Sequence, residues 1–287
     1  MEREAQSRVM AGRVCIVTGP TSGVGAEIAR GLAARGATVV LACRNPEKGA
    51  ALRETLTREK GNTDLSVAPL DLASLASIRE FARRFEQDHE RLHVLVNNAG
   101  IFLRHRELSP DGFEMQLMVN ALAPFYLTNL LRGPLLAGAP SRVVNVASTA
   151  QRGGRVDFDD LQKARAYSGF RAYTDSKFAL VLLSYEQARR WQGTGISVNA
   201  LHPGRIRTNL GKGEYPPGAG LFKLLFFRSP ERGAETPLYV ATSPELNETT
   251  GKYYSGKRAV PSDPGTYDEA VARRLWDESA KLVGLAT

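Results

Sequence analysis

The chain has 287 residues, 43% of them hydrophobic, with a formal net charge of +8, two cysteines and four histidines. That length buries a large core and suits one α/β domain, two cysteines exclude a disulfide scaffold, and the longest apolar runs, Phe178 to Leu183 and Leu221 to Phe227, fall far short of the roughly 20 residues that span a bilayer. The positive charge does not point to nucleic acid, because the arginines are scattered beside acids, as in Arg53-Glu54, Arg79-Glu80 and Arg83-Arg84-Phe85-Glu86.

Residues 1–11 mix charges with one apolar pair, Val9-Met10, and read as a flexible start without a signal-peptide core. Residues 12–287 read as one domain with no linker and no repeat. Its first strand, within Gly12 to Thr18, runs into the turn Gly19-Pro20-Thr21-Ser22-Gly23-Val24-Gly25 and a helix over Val24 to Arg35. Glycines at 19, 23 and 25 let the backbone turn tightly and approach a pyrophosphate, and the helix start offers free N–H groups and a positive dipole end. A tight strand-to-helix connection would use the same glycines. Further strands are predicted at Thr38 to Cys43, Leu65 to Leu70, Val94 to Asn97, Arg142 to Ala147, Ser197 to Leu201 and around Lys252 to Ser255, making seven. Their β-branched, nearly continuous apolar character fits strands covered on both faces. The segments between carry apolar residues at helical spacing, as in Ile78, Phe81, Ala82 and Phe85, or Leu180, Leu183, Tyr185 and Ala188. Such alternation predicts a doubly wound parallel sheet with helices on both faces and ligands at the strands' C-terminal ends.

Within the helix predicted near residue 180, Tyr173 and Lys177 stand four apart and share one face. Moving a tyrosine about three units down from its usual ~10 takes roughly 4 kcal/mol of phenolate stabilisation, which a neighbouring ammonium helps to supply. The pair is therefore a candidate acid/base device, although tyrosine and lysine also fall four apart on ordinary solvated helices. Cys15 and Cys43 sit in apolar runs and read as packing residues of a reduced compartment. His89 and His93 have no further ligand cluster and read as a solvated pair rather than a metal site.

Taken together, the glycine turn, Asp71 after the third strand, Asn97-Asn98-Ala99-Gly100 after the fourth, Asn120, Ser148 after the fifth, Tyr173 with Lys177, Pro203-Gly204 after the sixth and Thr208 resemble the short-chain dehydrogenase/reductase family from about Gly12 to Gly284. The resemblance implies a Rossmann fold and the catalytic set Asn120, Ser148, Tyr173 and Lys177. In that set Tyr173 exchanges the proton, Ser148 holds the reacting oxygen, Lys177 lowers the tyrosine's pKa and meets the nicotinamide ribose, and Asn120 holds a relay water or satisfies backbone at a helix kink. It also implies a dinucleotide held by Gly19, Thr21, Ser22, Gly23, Val24 and Gly25, with Asp71 and Leu72 at the adenine, Asn98, Ala99 and Gly100 along the ribose, and Pro203, Gly204 and Thr208 near the carboxamide. At the second strand's tip an acid would repel a 2'-phosphate, but the sequence reads Cys43-Arg44-Asn45, and a guanidinium suits the phosphate. NADP (NADPH) is expected over NAD, the alternative being that Arg44 stacks on adenine.

Three further runs, Val39 to Gly49, Gly154 to Leu161 and Ala270 to Ser279, are most similar to the retinol dehydrogenase-like branch. An apolar aldehyde, ketone or alcohol substrate is implied; alternatives are steroid, polyketide or xenobiotic ketones, or a non-catalytic NADP-binding regulator. Departures are Pro20 in the glycine turn, which removes an N–H, and Ala147 where serine is common, and the N-terminal membrane anchor that many animal members carry is not expected here. A cytoplasmic protein is expected, with a homodimer through the helices holding Asn120 and Tyr173. The loop at about 205–228 ends in the apolar run Leu221 to Phe227, which reads as a pocket wall, a core-packed helix or a shallow membrane contact.

Overall fold

Seven segments, most of them rich in valine, leucine and alanine, come together as parallel strands in the computed structural model, which describes residues 9–60, 64–204 and 229–285. They are β1 (Val14–Thr18), β2 (Thr38–Cys43), β3 (Leu65–Pro69), β4 (Val94–Asn97), β5 (Ser141–Val146), β6 (Ile196–His202) and β7 (Tyr253–Ser255), in the order β3-β2-β1-β4-β5-β6-β7. β4, β5 and β6 are buried throughout, as central strands between two helical layers must be. β3 lies at the edge and is less buried, with Ser66 and Pro69 exposed; proline is tolerated there.

Among the described residues the expected count of seven strands is corrected to eight by β8 (Arg258–Ala259), which pairs antiparallel with β7. The hairpin turns through Gly256 and Lys257, both at positive φ (57° and 63°). Two left-handed residues are what a tight two-residue turn demands. A lysine at the second position, followed by two exposed residues, carries no alternating signal, so the strand is not legible beforehand.

Among the described residues the helices are α1 (Gly23–Ala33), α2 (Pro46–Lys60), α3 (Leu75–Asp88), α4 (Met115–Leu117), α5 (Ala123–Leu130), α6 (Arg132–Ala137), α7 (Gly169–Arg190), α8 (Pro230–Thr242) and α9 (Glu269–Val283). A π-helical turn, Met118–Leu122, joins α4 to α5 and carries Asn120. On one sheet face Ile28 and Leu32 of α1, Leu56 of α2 and Val240 of α8 pack with Val17, Val39 and Val96. On the other, Phe81 and Phe85 of α3, Phe125 of α5 and Leu182 of α7 pack with Ile16, Leu95 and Val143. α9 closes over α5 and α7: the Trp276 ring meets Phe125 edge-on at 4.8 Å, and the Arg190 guanidinium lies 4.6 Å from the Trp276 ring centre.

A buried polar chain sets the strand ends against these helices. Asn97 Nδ2 donates to Thr128 Oγ1 (3.0 Å) and Asn145 Oδ1 (2.8 Å), and Asn145 Nδ2 donates to Ser184 Oγ (2.8 Å). β4, β5, α5 and α7 are thereby held in one register, since a displaced member would leave a buried amide unpaired. His89 and His93 are half-buried rather than solvated, and His93 Nδ1 accepts the Val14 N–H at 2.9 Å. Cys15 is fully buried, which pushes its thiol up to about 12. Cys43 is also buried. Among the described residues no helix is long and apolar enough to cross a membrane.

Candidate functional site

Strand order reverses between β1 and β4, so the helices following these two strands leave on opposite faces and open a crevice at their C-terminal ends. Here the first glycine turn and the Asn97-Asn98-Ala99-Gly100 turn are clasped together. Asn98 Nδ2 donates to the carbonyls of Thr18 (2.9 Å) and Gly19 (3.2 Å), while Thr18 Oγ1 accepts the N–H groups of Asn98 (3.0 Å) and Ala99 (3.1 Å). Gly19 has φ +62°, and a Cβ there would stand 3.0 Å from Ala99 Cβ. At Gly25 a Cβ would overlap the Gly19 carbonyl and the Asn98 amide. Both glycines are therefore demanded by close backbone approach, whatever is bound.

α1 begins without a side-chain cap: Ser22 is extended, its hydroxyl makes no capping hydrogen bond, and the first turn holds no acid. Among the described residues no side chain caps its first N–H groups, an arrangement suited to an anion. Thr21 is half-buried, Ser22 exposed and Val24 buried. Arg44 is exposed at the tip of β2. After β3, Asp71 shapes its own turn, with Oδ1 accepting Ala73 N–H at 3.0 Å and its N–H donating to Ser77 Oγ at 2.9 Å, and Leu72 is buried beside it.

On the far side of the crevice, α7 starts with Ser168 capping Arg171 N–H (3.4 Å) and carries Tyr173 and Lys177 one turn apart. Lys177 is 4% exposed, and its Nζ donates to the Val146 carbonyl at 3.1 Å. Burial lowers its pKa to about 8. A Cβ at Gly100 would lie 3.1 Å from Lys177 Nζ and 3.3 Å from Asn120 Oδ1, so the ammonium, the amide and the Gly100 backbone converge. Asn120 is fully buried; its Nδ2 donates to Ile101 O and Ser176 Oγ, each at 3.0 Å, and its Oδ1 accepts Ile101 N–H at 2.8 Å. The side chain thus does the backbone-satisfying work weighed for it from sequence, and Asn98 likewise spends its amide on the clasp.

Ser148 follows β5, half-buried, with Oγ accepting Ala150 N–H at 3.1 Å. Two residues that motif spacing did not single out fix its backbone. Tyr253 Oη donates to the Ser148 carbonyl at 3.1 Å, and His202 Nδ1 accepts Thr149 N–H at 3.3 Å. Tyr253 is 4% exposed, and burial pushes its phenol well above the ordinary tyrosine value, so it stays a neutral donor. Nothing in a buried strand tyrosine announces such a role. The Tyr173 ring stands edge-on to Phe102, centroids 5.7 Å apart. Pro203 and Gly204 are half-buried just beyond β6, with Gly204 at φ +104°. Thr208, the 205–228 loop and its apolar run lie outside the described residues. The described site residues after β1, β4, β5 and β6 therefore stand at the C-terminal ends of their strands beside α7, and Arg44 and Asp71 stand at the tips of β2 and β3.

Comparison with known proteins agrees with this architecture. Residues 13–216 match the short chain dehydrogenase family. Human retinol dehydrogenase 13 is 45% identical over 282 residues, covering 96% of this chain and 85% of that protein. A crystal structure of a Mycobacterium paratuberculosis protein is 34% identical with a TM-score of 0.79, covering 96% of this chain and 94% of the other. The Pseudomonas aeruginosa RhlG/NADP active-site complex is 27% identical with a TM-score of 0.70, covering 91% and 98%.

Proposed function

The chain belongs to the short-chain dehydrogenase family and is an oxidoreductase of alcohol and carbonyl groups, and on that premise we propose that it interconverts apolar aldehydes or ketones and their alcohols with NADP, working as a reductase when NADPH prevails. The observation that carries the proposal is the buried Lys177 ammonium beside Gly100 and Asn120, one helical turn from Tyr173. An ammonium is buried at a cost, so a site that keeps one uses its charge.

The residues present fit a dinucleotide: the Gly19 and Gly25 cradle admits no side chain, and the α1 start is uncapped. Gly19, Thr21, Ser22, Gly23, Val24 and Gly25 would hold its pyrophosphate, Asp71 and Leu72 its adenine, Asn98, Ala99 and Gly100 its ribose, and Pro203 and Gly204 the nicotinamide end. Arg44 would pair with the 2'-phosphate, a reading supported by the absence of an acid at the β2 tip. When bound, the nicotinamide supplies or accepts the hydride.

In reduction Tyr173 Oη gives its proton to the carbonyl oxygen as negative charge develops there, and in oxidation its phenolate takes the alcohol proton. Because Ser148 Oγ already accepts Ala150 N–H, its own hydrogen is free to donate to the same oxygen. Lys177, with its pKa near 8, is mostly an ammonium at neutral pH. Unit charges about 5 Å apart at an effective dielectric of about 20 attract by about 3 kcal/mol, most of the roughly 4 kcal/mol that a neutral-range tyrosine requires. With its amide hydrogens committed, Asn120 would hold a relay water through the main chain of the π turn.

The test follows NADPH and NADH oxidation by the purified protein across linear aldehydes, aryl aldehydes, steroid ketones and quinones, beside Tyr173→Phe. NADPH-preferring turnover that drops at least 1000-fold in the variant while NADPH binding persists is the expected result. Turnover that survives Tyr173→Phe would remove the tyrosine from its role, and tight NADPH binding without any turnover would favour a cofactor-sensing protein.

A further inference from the structure

Residues 170, 173 and 177 are three and four apart, so on an α-helix they stand within about 60° of one another. Along this stripe of α7 the exposure falls steadily from Phe170, 67% exposed, through the half-buried Tyr173, to Lys177 at 4%. The stripe thus runs from solvent down to the reactive pair, with Phe170 one helical turn before Tyr173 on the same face. No other large hydrophobic residue among those described is as exposed as Phe170. A ring standing in water in the first turn of a helix adds little to folding, since apolar area contributes only when it is removed from water.

A second aromatic side chain meets the stripe from the loop after β4. Gly169 lets that loop cross the start of α7 closely: a Cβ there would lie 2.7 Å from Arg104 Cα and 3.0 Å from the Arg104 carbonyl oxygen. Gln116, fully buried, fastens the crossing, with Nε2 donating to the carbonyls of Leu103 (3.2 Å) and Gly169 (3.0 Å). Phe102 is thereby brought against Tyr173, its ring at 78° to the phenol. The reactive phenol is braced by one phenyl ring and followed outward along its helix by another.

We propose that Phe102 and Phe170 form an aromatic wall that selects long-chain and aryl carbonyl compounds over short ones, a deepening of the carbonyl-reductase proposal on which it rests. Phe102 braces Tyr173, and Phe170 gives the substrate tail an apolar surface outside the reacting centre. Planar or extended tails gain most, because ring faces and edges reward close parallel or edge contact. Each methylene laid against the wall raises kcat/KM by about threefold to fourfold.

The experiment measures kcat/KM for propanal, hexanal, decanal and 2-naphthaldehyde with wild type, Phe170→Ala and Phe170→Leu, and in parallel titrates 1-decanol calorimetrically into each protein with NADP present. The wild type is expected to prefer decanal to propanal, the preference falling about tenfold in Phe170→Ala and being largely kept in Phe170→Leu. A decanal-to-propanal ratio that Phe170→Ala does not change, or a wild type indifferent to chain length, overturns the wall and leaves the reductase standing. Decanol binding that weakens about tenfold in Phe170→Ala, in a protein that reduces none of the aldehydes, keeps the wall and removes the reductase. Decanol affinity equal in all three proteins overturns the wall whatever the turnover.

Discussion

Lys177→Met should make the protein without cofactor more stable at neutral pH while abolishing its turnover. A fall in the ammonium's pKa from the ordinary 10.5 to about 8 through burial corresponds to a penalty of about 3 kcal/mol at pH 7. Methionine has a similar length and carries no charge, but it leaves the Val146 carbonyl without its 3.1 Å partner, at a cost of about 1 kcal/mol. The net expectation is about 2 kcal/mol in favour of the variant, or about 4 °C in melting temperature for a chain of this size. The sign with pH follows from the direction of the shift. Between pH 8 and 10.5 the unfolded chain binds more protons at this lysine than the folded one, so the wild type gains stability as pH rises, and by pH 10 the penalty is below about 1 kcal/mol. The variant's advantage should therefore vanish near pH 10. Urea unfolding of both proteins at pH 7 and pH 10, without cofactor, reads this directly. A variant that is less stable at pH 7, or an equal difference at both pH values, would refute the argument that burial of an ammonium destabilises the site.

Arg44→Ala should weaken NADPH binding by about tenfold to a hundredfold, the worth of a charge-assisted phosphate contact, and shift NADH by less than threefold; equal weakening of both in calorimetric titrations would mean that Arg44 stacks on the base. Tyr253→Phe leaves the Ser148 carbonyl without this donor, so kcat should drop about tenfold while the NADPH dissociation constant stays within twofold. An unchanged kcat, with only stability lowered, would show that Tyr253 packs the strand and does not position Ser148.

The strands that sequence patterning placed best are those with two covered faces. β2 and β4 match their expected bounds residue for residue, because a run such as Val94-Leu95-Val96 has no exposed position to blur its ends. β5 is shifted by one residue, beginning at Ser141. That serine is buried, with Oγ donating to the Leu135 carbonyl at 2.8 Å, so a polar residue extends an apolar strand through a tertiary hydrogen bond that no local pattern contains. Tyr173 and Lys177 were legible because a helical spacing of four is itself geometric information. Phe102, Gly169 and Gln116 were not, since their meeting joins a loop without periodicity to two helices, over separations of 14 to 67 residues. The amides of Asn98 and Asn120 show a different limit: sequence located both, but which groups their hydrogens satisfy depends on the approach of backbone from other elements.

Packing on α7 bears on assembly as well as on chemistry. A pair formed through the helices that hold Asn120 and Tyr173 needs an apolar face on α5 and α7, and α9 already occupies one. Ala272, Leu275, Trp276, Ala280 and Val283 of α9 are each at most 8% exposed. Trp276 meets Phe125 and Arg190, and Arg190 also pairs with Asp277 at 3.6 Å. What α9 turns outward is a stripe of exposed charge, Glu269, Arg273, Asp277 and Lys281, one every fourth residue. Interface centres are depleted in such residues, and desolvating them would offset much of any apolar gain. The expected result is therefore no association through this face: sedimentation at micromolar concentrations should give a species whose mass does not respond to Asp277→Lys. A dimer that Asp277→Lys dissociates, or whose cross-links fall on α9, would overturn the argument and restore pairing on this side of the molecule.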